Sequence, residues 1–280
     1  MRSIKKGPIR FGLVGVGVRM YTATESHDIE FHTHHAGCLG AIRQLRKCET
    51  CGEIVEYHDI VSGREVNGRL VTVTKDEQTA LEEEAGSGFE VLEFVHRSEI
   101  DPIMFEATYY LDLEPEDPKS KANVEGYALL RTVLAESDRV GIVEFTYRQR
   151  TRTGVLRVLG DDTLAIHTMR WIDEVRPTDE LKGVHEKVEL NPKFVKTAHA
   201  VLESMLGEFE PEQYVDTYRD RLSALLDAKA ADAPYVAAPA EQATEDVSDL
   251  LAALEASIKR HPAGKKRARK APAKKKVGAA

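Results

Sequence analysis

With 280 residues, 42% of them hydrophobic, the chain is long and apolar enough to build a substantial core, which excludes disorder throughout. It has no apolar run of membrane-spanning length, and its N-terminal stretch lacks the unbroken apolar segment and small-residue cleavage site of a secretory signal; a soluble, intracellular protein is expected. The net charge of −8 is uneven: ten of the 39 Lys and Arg residues follow Ile258, where no carboxylate stands, so residues 1–258 carry −18 and offer a polyanion only local clusters of cations.

In chain order, residues 9–21, IRFGLVGVGVRMY, mix β-branched residues with glycines and predict a strand or a bent pair of strands. A nucleotide loop does not fit, because Met20 stands where the third glycine of G-x-G-x-x-G is required after Gly15 and Gly17. Further strands are expected at 53–60, 69–74, 89–96, 103–111, 139–148, 154–159 and 163–171, with a helix over 127–138. Many short strands with few intervening helices indicate a mainly β protein with some α, an antiparallel barrel or sandwich. Asn191 and Pro192 then form an N-cap and first helical position, opening a helix to about Leu206. A second helix is expected from near Pro211, with Tyr214, Tyr218, Leu222, Leu225 and Leu226 on one face.

The Ala- and Pro-rich run at 230–244 predicts a linker. After it, EDVSDLLAALEASIKR places Val247, Leu250, Leu251, Leu254 and Ile258 on one helical stripe at 245–259, too short to be stable alone and suited to docking in a partner's groove or folding back on its own body. The last segment, 260–280, reads as a disordered basic tail whose Lys265, Lys266, Arg267, Arg269, Lys270, Lys274, Lys275 and Lys276 are suited to phosphate contact.

All three cysteines fall in HAGCLGAIRQLRKCETCGE. The spacing of His35, Cys38, Cys48 and Cys51 matches two knuckles of a ribbon-type zinc site, with His32 and His34 near enough to replace His35. Four protein ligands would make the zinc structural and not catalytic. Buried thiols or a Cys48–Cys51 disulfide are the other readings of the same residues.

In EFTYRQRTRTGVLRV, Val143, Phe145 and Tyr147 alternate with Thr146, Arg148, Arg150 and Arg152, so the arginines are expected to face away from the core, unless a turn at QRTRTG breaks the alternation. With Arg157 they read either as a row of phosphate contacts or as an ordinary solvated face. No catalytic motif stands out, so no enzyme activity is expected. The cluster of Asp161, Asp162, His167, Asp173 and Glu174 reads as acidic loops around a strand without ligand spacing, and Trp171 as core packing.

Taken together, IRFGLVGVGVRMYTATESHDIEFH, HAGCLGAIR, CETCGEIVEY, EVLEFV, DPIMFEATYYL, YALLRTVLAESDRVGIVEFTYRQRTRTGVLRV, YVDTYRDRL and EDVSDLLAALEASIKR resemble, in order, the bacterial Ku family of DNA-end-binding proteins of nonhomologous end joining. The chain departs from that pattern at Lys5, Gly15 and Gly17, where a looser first strand is expected. The resemblance implies a Ku-type β-barrel core over residues 1–190 with a zinc-ribbon insert at about 32–55, extended arms that close a ring in a homodimer, and a helical arm at 191–229. It also implies sequence-independent binding of double-stranded DNA ends inside the ring and recruitment of an ATP-dependent DNA ligase by the terminal helix. Arg148, Arg150, Arg152 and Arg157 would line the ring, together with Arg43, Arg46 and Lys47. A zinc-ribbon regulator of internal nucleic-acid sites, bound mainly through its basic tail, is the alternative.

Overall fold

The computed structural model describes residues 1–84, 86, 88–113, 121–160, 162–181, 183 and 188–235. The stripe from Val247 to Ile258 and the eight cations of the tail therefore lie outside the described residues.

Strands β1 (Lys5–Phe11) and β2 (Val14–Thr22) form a hairpin, paired from Lys5↔Met20 to Phe11↔Val14, so the looser first strand expected from Gly15 and Gly17 is not found. Alternation along β2 sends Val16, Val18 and Met20 inward. The chain continues through β3 (Ser62–Val66), β4 (Arg69–Val73), α1 (Lys75–Glu84), β5 (Phe89–His96), β6 (Phe105–Leu113), α2 (Lys121–Glu136), β7 (Arg139–Tyr147), β8 (Arg150–Leu159) and β9 (Thr163–Met169). Seven strands close a barrel in the order β1-β2-β6-β9-β8-β7-β5. Parallel pairing of Ile9 with Phe89 and Arg10 with Glu90 makes the closure, which leaves no open edge in this sheet.

The barrel interior holds Ile9, Val18, Phe89, Leu111, Val143, Phe145, Leu156, Leu164 and Ile166, joined by Leu130 and Leu134 from α2. That helix is fastened by polar bonds as well. Asn123 Oδ1 accepts from Gly17 N at 2.7 Å and its Nδ2 donates to Gly17 O at 3.2 Å. The Tyr127 hydroxyl donates to Leu111 O at 2.7 Å and accepts from Leu164 N at 3.1 Å, adding one rung beyond the Leu111↔Leu164 pair of β6 and β9. Gly126 permits the approach, because a Cβ there would stand 2.9 Å from Val16 Cγ2.

Residues 23–88, between β2 and β5, are built differently: among their described residues none is buried. Val61 just before β3, Val66, Leu70, Val71 and Val73 on the β3–β4 hairpin and Leu81 on α1 are exposed. A strand expected at 53–60 is absent; that stretch holds an isolated bridge at Ile54 and a 3-10 turn at Tyr57–Asp59. Trp171, expected in the core, is 43% exposed at the head of another 3-10 turn, Ile172–Glu174.

A second compact unit begins at Asp179. In it α3 (Pro192–Ser204) starts as expected, the Asn191 side chain accepting from Lys193 N at 3.0 Å before Pro192. Helix α4 (Thr217–Ala230) begins later than Pro211, because Asp216 supplies the N-cap and Pro211–Gln213 forms only a 3-10 turn. Tyr214 consequently precedes the helix and stacks on Phe209, with ring centroids 5.7 Å apart. Among the described residues no helix is long and apolar enough to cross a membrane.

Candidate nucleic-acid interface

The arginine row does not run along one strand. Arg148 and Gln149 have φ of 52° and 61° and turn the chain from β7 into β8. Two successive positive φ values are the mark of a tight turn whose twist suits a two-residue hairpin. Arg150 then pairs with Tyr147 and Arg152 with Phe145. Directly opposed residues share a sheet face, so Arg150 and Arg152 lie on the inward side with the buried Phe145, and their expected position facing away from the core is corrected. The turn inverts the parity on which that expectation rested.

What forms is a cationic and aromatic rim at one end of the barrel. The Arg148 guanidinium lies 5.1 Å from the Tyr147 ring centroid, and Tyr147 meets Tyr109 edge-on at 6.3 Å. Arg152 Nη1 is 2.7 Å from Glu106 Oε2, while its Nε is buried without a hydrogen-bond partner. Burial, with the neighbouring Tyr147, holds the Tyr109 phenol above its ordinary value, so it stays a neutral donor. Arg148 and Arg150 are the exposed cations of the rim.

Arg157 belongs to a different surface. It alternates with the inward Leu156 and Val158, so it stands on the outer face of β8, and its Nε donates to His167 Nε2 at 2.7 Å. His167 Nδ1 in turn lies 2.9 Å from the Thr108 hydroxyl, its ladder partner on β6. Accepting from Arg157 requires a neutral ring with its proton on Nδ1. Burial, then repulsion from Arg157 and Arg97, pushes the His167 pKa down to about 4. Since the folded pKa lies below the usual histidine value of about 6.5, the unfolded chain binds more protons between the two. This group's contribution to stability is therefore complete above about pH 6.5 and lost as the pH falls toward about 4. Melting curves across that range are expected to show a shallower acid loss in His167→Gln than in the parent, and equal slopes would contradict this assignment. The groups that face the ring are Arg157, Arg97, Thr108 and Phe105, whose ring centroid is 5.4 Å away.

In the insert the two knuckles are copies of one another. His35 N donates to Gly40 O at 2.8 Å and Leu39 N to His35 O at 2.7 Å; Cys48 N donates to Glu53 O at 2.8 Å and Gly52 N to Cys48 O at 2.9 Å. Leu39 and Gly52, each following the second ligand position of its knuckle, have φ of 57° and 75°. Bridges His34↔Ala41 and Lys47↔Ile54 close both loops at the same offset. His35 Nδ1 sits 3.1 Å from Cys38 Sγ, and His34 Nδ1 lies 3.0 Å from Leu39 O, a bond that leaves its Nε2 free. Hydrogen bonds from the Cys51 backbone and then its thiol hold the Cys48 thiol below its ordinary value. All three cysteines are free. One imidazole and three thiols are a donor set suited to tetrahedral zinc, and each knuckle has its pair in place. Among the described residues, however, no three His, Cys, Asp or Glu side chains converge on one point.

Of the remaining expected contacts, Arg43, Arg46 and Lys47 are exposed within the insert. Arg46 lies 5.3 Å and Lys75 4.4 Å from the Tyr57 ring centroid, so one aromatic ring carries two cations. In the acidic segment, Asp162 pairs with Arg131 of α2 at 2.8 Å. The sequence reading missed Glu106, Tyr109 and Arg97; their roles depend on strand neighbours far away in the chain, and only the closed barrel brings them together.

Comparison with known proteins matches residues 10–197 to the family model described as Ku70/Ku80 beta-barrel domain. The chain is 43% identical over 274 residues to the Non-homologous end joining protein Ku of Mycolicibacterium smegmatis, covering 95% of this chain and 84% of that protein. It is 43% identical over 271 residues to the protein of the same name from Mycobacterium tuberculosis, covering 92% and 95%. Protein Ku of Mycobacterium phage Omega is 39% identical over 260 residues, covering 92% and 86%.

Proposed function

The chain belongs to the Ku family, and from that membership we propose that it is a non-enzymatic homodimeric ring that binds double-stranded DNA ends without reading sequence and recruits an ATP-dependent DNA ligase for end joining. The observation that carries this reading is the 43% identity across 95% of the chain to a relative named for non-homologous end joining. A ring reconciles acidic charge with a polyanionic ligand, because cations on an inner wall suffice when the duplex is enclosed and base contacts are unnecessary. Requiring passage through a hole makes a free end the entry point.

The insert at 23–88 supports the dimer. None of its described residues is fully buried, yet it exposes Val61, Val66, Leu70, Val71, Val73 and Leu81, an apolar set of the kind a second copy of the chain would cover. Arg43, Arg46 and Lys47 would bring cations to the enclosed duplex with Arg148, Arg150 and Arg157, while Arg152 is held by Glu106 at 2.7 Å. Zinc, held by His35, Cys38, Cys48 and Cys51 once both knuckles meet on one ion, would fix the insert's conformation. The stripe Val247, Leu250, Leu251, Leu254 and Ile258 would dock the ligase, and the basic tail from Lys265 to Lys276 would add affinity for DNA.

Native mass spectrometry of the purified protein is expected to give two chains with two zinc ions, and Cys48→Ser is expected to lose the zinc. A metal-free monomer would contradict both assignments. For the function itself, a short linear duplex is expected to bind tightly, and the same duplex with both ends sealed by DNA hairpins is expected to bind poorly. Equal binding to the two would reject threading.

A further inference from the structure

On the outer face of β8 and β9, Arg157 belongs to a cluster whose other members have no role in the proposed end binding. Val155 and Ala165 are 1% and 0% exposed although they point away from the barrel interior, and their ladder partners are His167 and Arg157. Arg157 thus sits partly desolvated over packed apolar side chains, with its Nε committed to His167 Nε2 at 2.7 Å. That commitment leaves the Nη1–Nη2 edge of the guanidinium for an outside partner, an edge shaped for two oxygens of one oxyanion.

Arg97 follows β5, which pairs with β7, and β7 pairs in turn with β8, the strand of Arg157. The chain leaves β5 in a 3-10 turn at Arg97–Glu99, and Arg97 N donates to Asp138 O at 3.3 Å, just ahead of β7. Its guanidinium acts electrostatically on both Arg157 and His167. Among the described residues no carboxylate pairs with Arg97 or Arg157: Glu99, two residues from Arg97, accepts from His96 N at 3.0 Å, and the Asp138 carboxylate is turned to His96 at 3.8 Å. Two guanidinium groups brought together without a counter-charge repel each other, and an anion between them removes the repulsion.

We propose that Arg97 and Arg157 form a seat for one phosphate group of the bound nucleic acid, and that His167 and Thr108 are positioning residues that hold the Arg157 guanidinium to it. The inference rests on the DNA-binding reading and assigns to it a second contact surface, separate from the rim at Arg148 and Arg150. The chain of bonds is directional: Thr108 accepts from His167 Nδ1–H, which leaves Nε2 as an acceptor, which orients Arg157.

The test is a salt titration of binding to a short linear duplex by the full chain. Arg97→Gln and Arg157→Gln are each expected to flatten the dependence of log K on log salt by roughly 0.9. The double variant is expected to lose less affinity than the two single losses multiplied, because both groups serve one phosphate. His167→Leu is expected to weaken binding several-fold at every salt concentration with the slope unchanged, and His167→Gln, which restores an acceptor, to recover part of it. Arg97 is exposed, so its variant is expected to melt like the parent and keeps the test valid if the Arg157 variant unfolds. Comparing 5′-phosphorylated with 5′-hydroxyl duplexes separates a terminal phosphate from a backbone one: loss of the Arg97→Gln effect on the hydroxyl duplex identifies the terminal group. If Arg97→Gln leaves affinity and slope unaltered while the parent binds linear duplex, the seat is rejected and the DNA reading stands. If the parent itself does not bind linear duplex, the DNA reading falls with it.

Discussion

Replacing Gly154 with alanine is expected to destabilise the barrel by about 1–3 kcal/mol or more, the range of an overpacked core site. Gly154 lies on β8 between Val143 of β7 and Thr168 of β9 and is buried. A Cβ there would stand 2.8 Å from Ile166 Cγ2 and 2.9 Å from the His167 carbonyl oxygen, with the Phe145 ring at 3.5 Å. A side-chain methyl can rotate away, but a backbone carbonyl within the ladder cannot move without displacing β9. The displaced residue is His167, which orients Arg157, so DNA affinity is expected to fall along with stability. Gly160, at φ 59° in the turn between β8 and β9, meets nothing within 4 Å, and Gly160→Asn is the control expected to cost little. Chemical denaturation of the two variants beside the parent measures the contrast; equal stability of all three would show that the barrel relaxes freely at Gly154.

Replacing both Arg148 and Arg150 with glutamine is expected to lower affinity for linear duplex roughly 10- to 100-fold near 0.1 M salt and to flatten the salt slope by roughly 2, the consequence of two lost phosphate contacts. Both residues are exposed, one in the turn and one at the start of β8, so stability is expected to remain near that of the parent. Arg152 is expected to behave differently. Its guanidinium is bound to Glu106 at 2.7 Å and is partly buried, so Arg152→Gln strips a carboxylate of its partner. The expected signature is a lower melting temperature with a small change in slope. Salt titration and melting of the two variants separate the roles; a large slope change for Arg152→Gln with unaltered melting would place that residue on the ligand and not in the rim's own structure.

Much of the barrel was legible because its strands alternate. Val16, Val18 and Met20 on β2, and the stretches 89–96 and 139–147, carry a period of two that belongs to a half-buried strand. The Asn191–Pro192 start of α3 was equally plain, since capping is local chemistry. Helix α1 had the same kind of signal: Thr74 and Glu77 form a capping box, with Thr74 N donating to Glu77 Oε2 at 2.8 Å and Glu77 N to Thr74 Oγ1 at 3.2 Å. It was overlooked because the helix that follows has little apolar periodicity to mark it. The sequence raises a turn at QRTRTG but not its place at Arg148–Gln149: neither residue is the Asn or Gly that usually marks positive φ, and tertiary pairing of β7 with β8 imposes the conformation. The site was legible as a set of cations and not as a geometry. Arg157 was named from the sequence, but its bond to His167 depends on β8 lying beside β9, and Arg97 is sixty residues away along the chain.

The central claim is that enclosure, with cations on the inner wall, lets an acidic protein hold DNA and confines entry to free ends. The most direct measurement is the affinity of the full chain for a linear duplex and for a covalently closed circle of the same sequence, repeated with residues 260–280 removed. Strong retention on the linear form, weak retention on the circle, and survival of that preference without the tail are the expected results. Equal affinity for the two forms, or loss of nearly all binding with the tail, would contradict the account and favour a regulator that grips internal sites through its basic end.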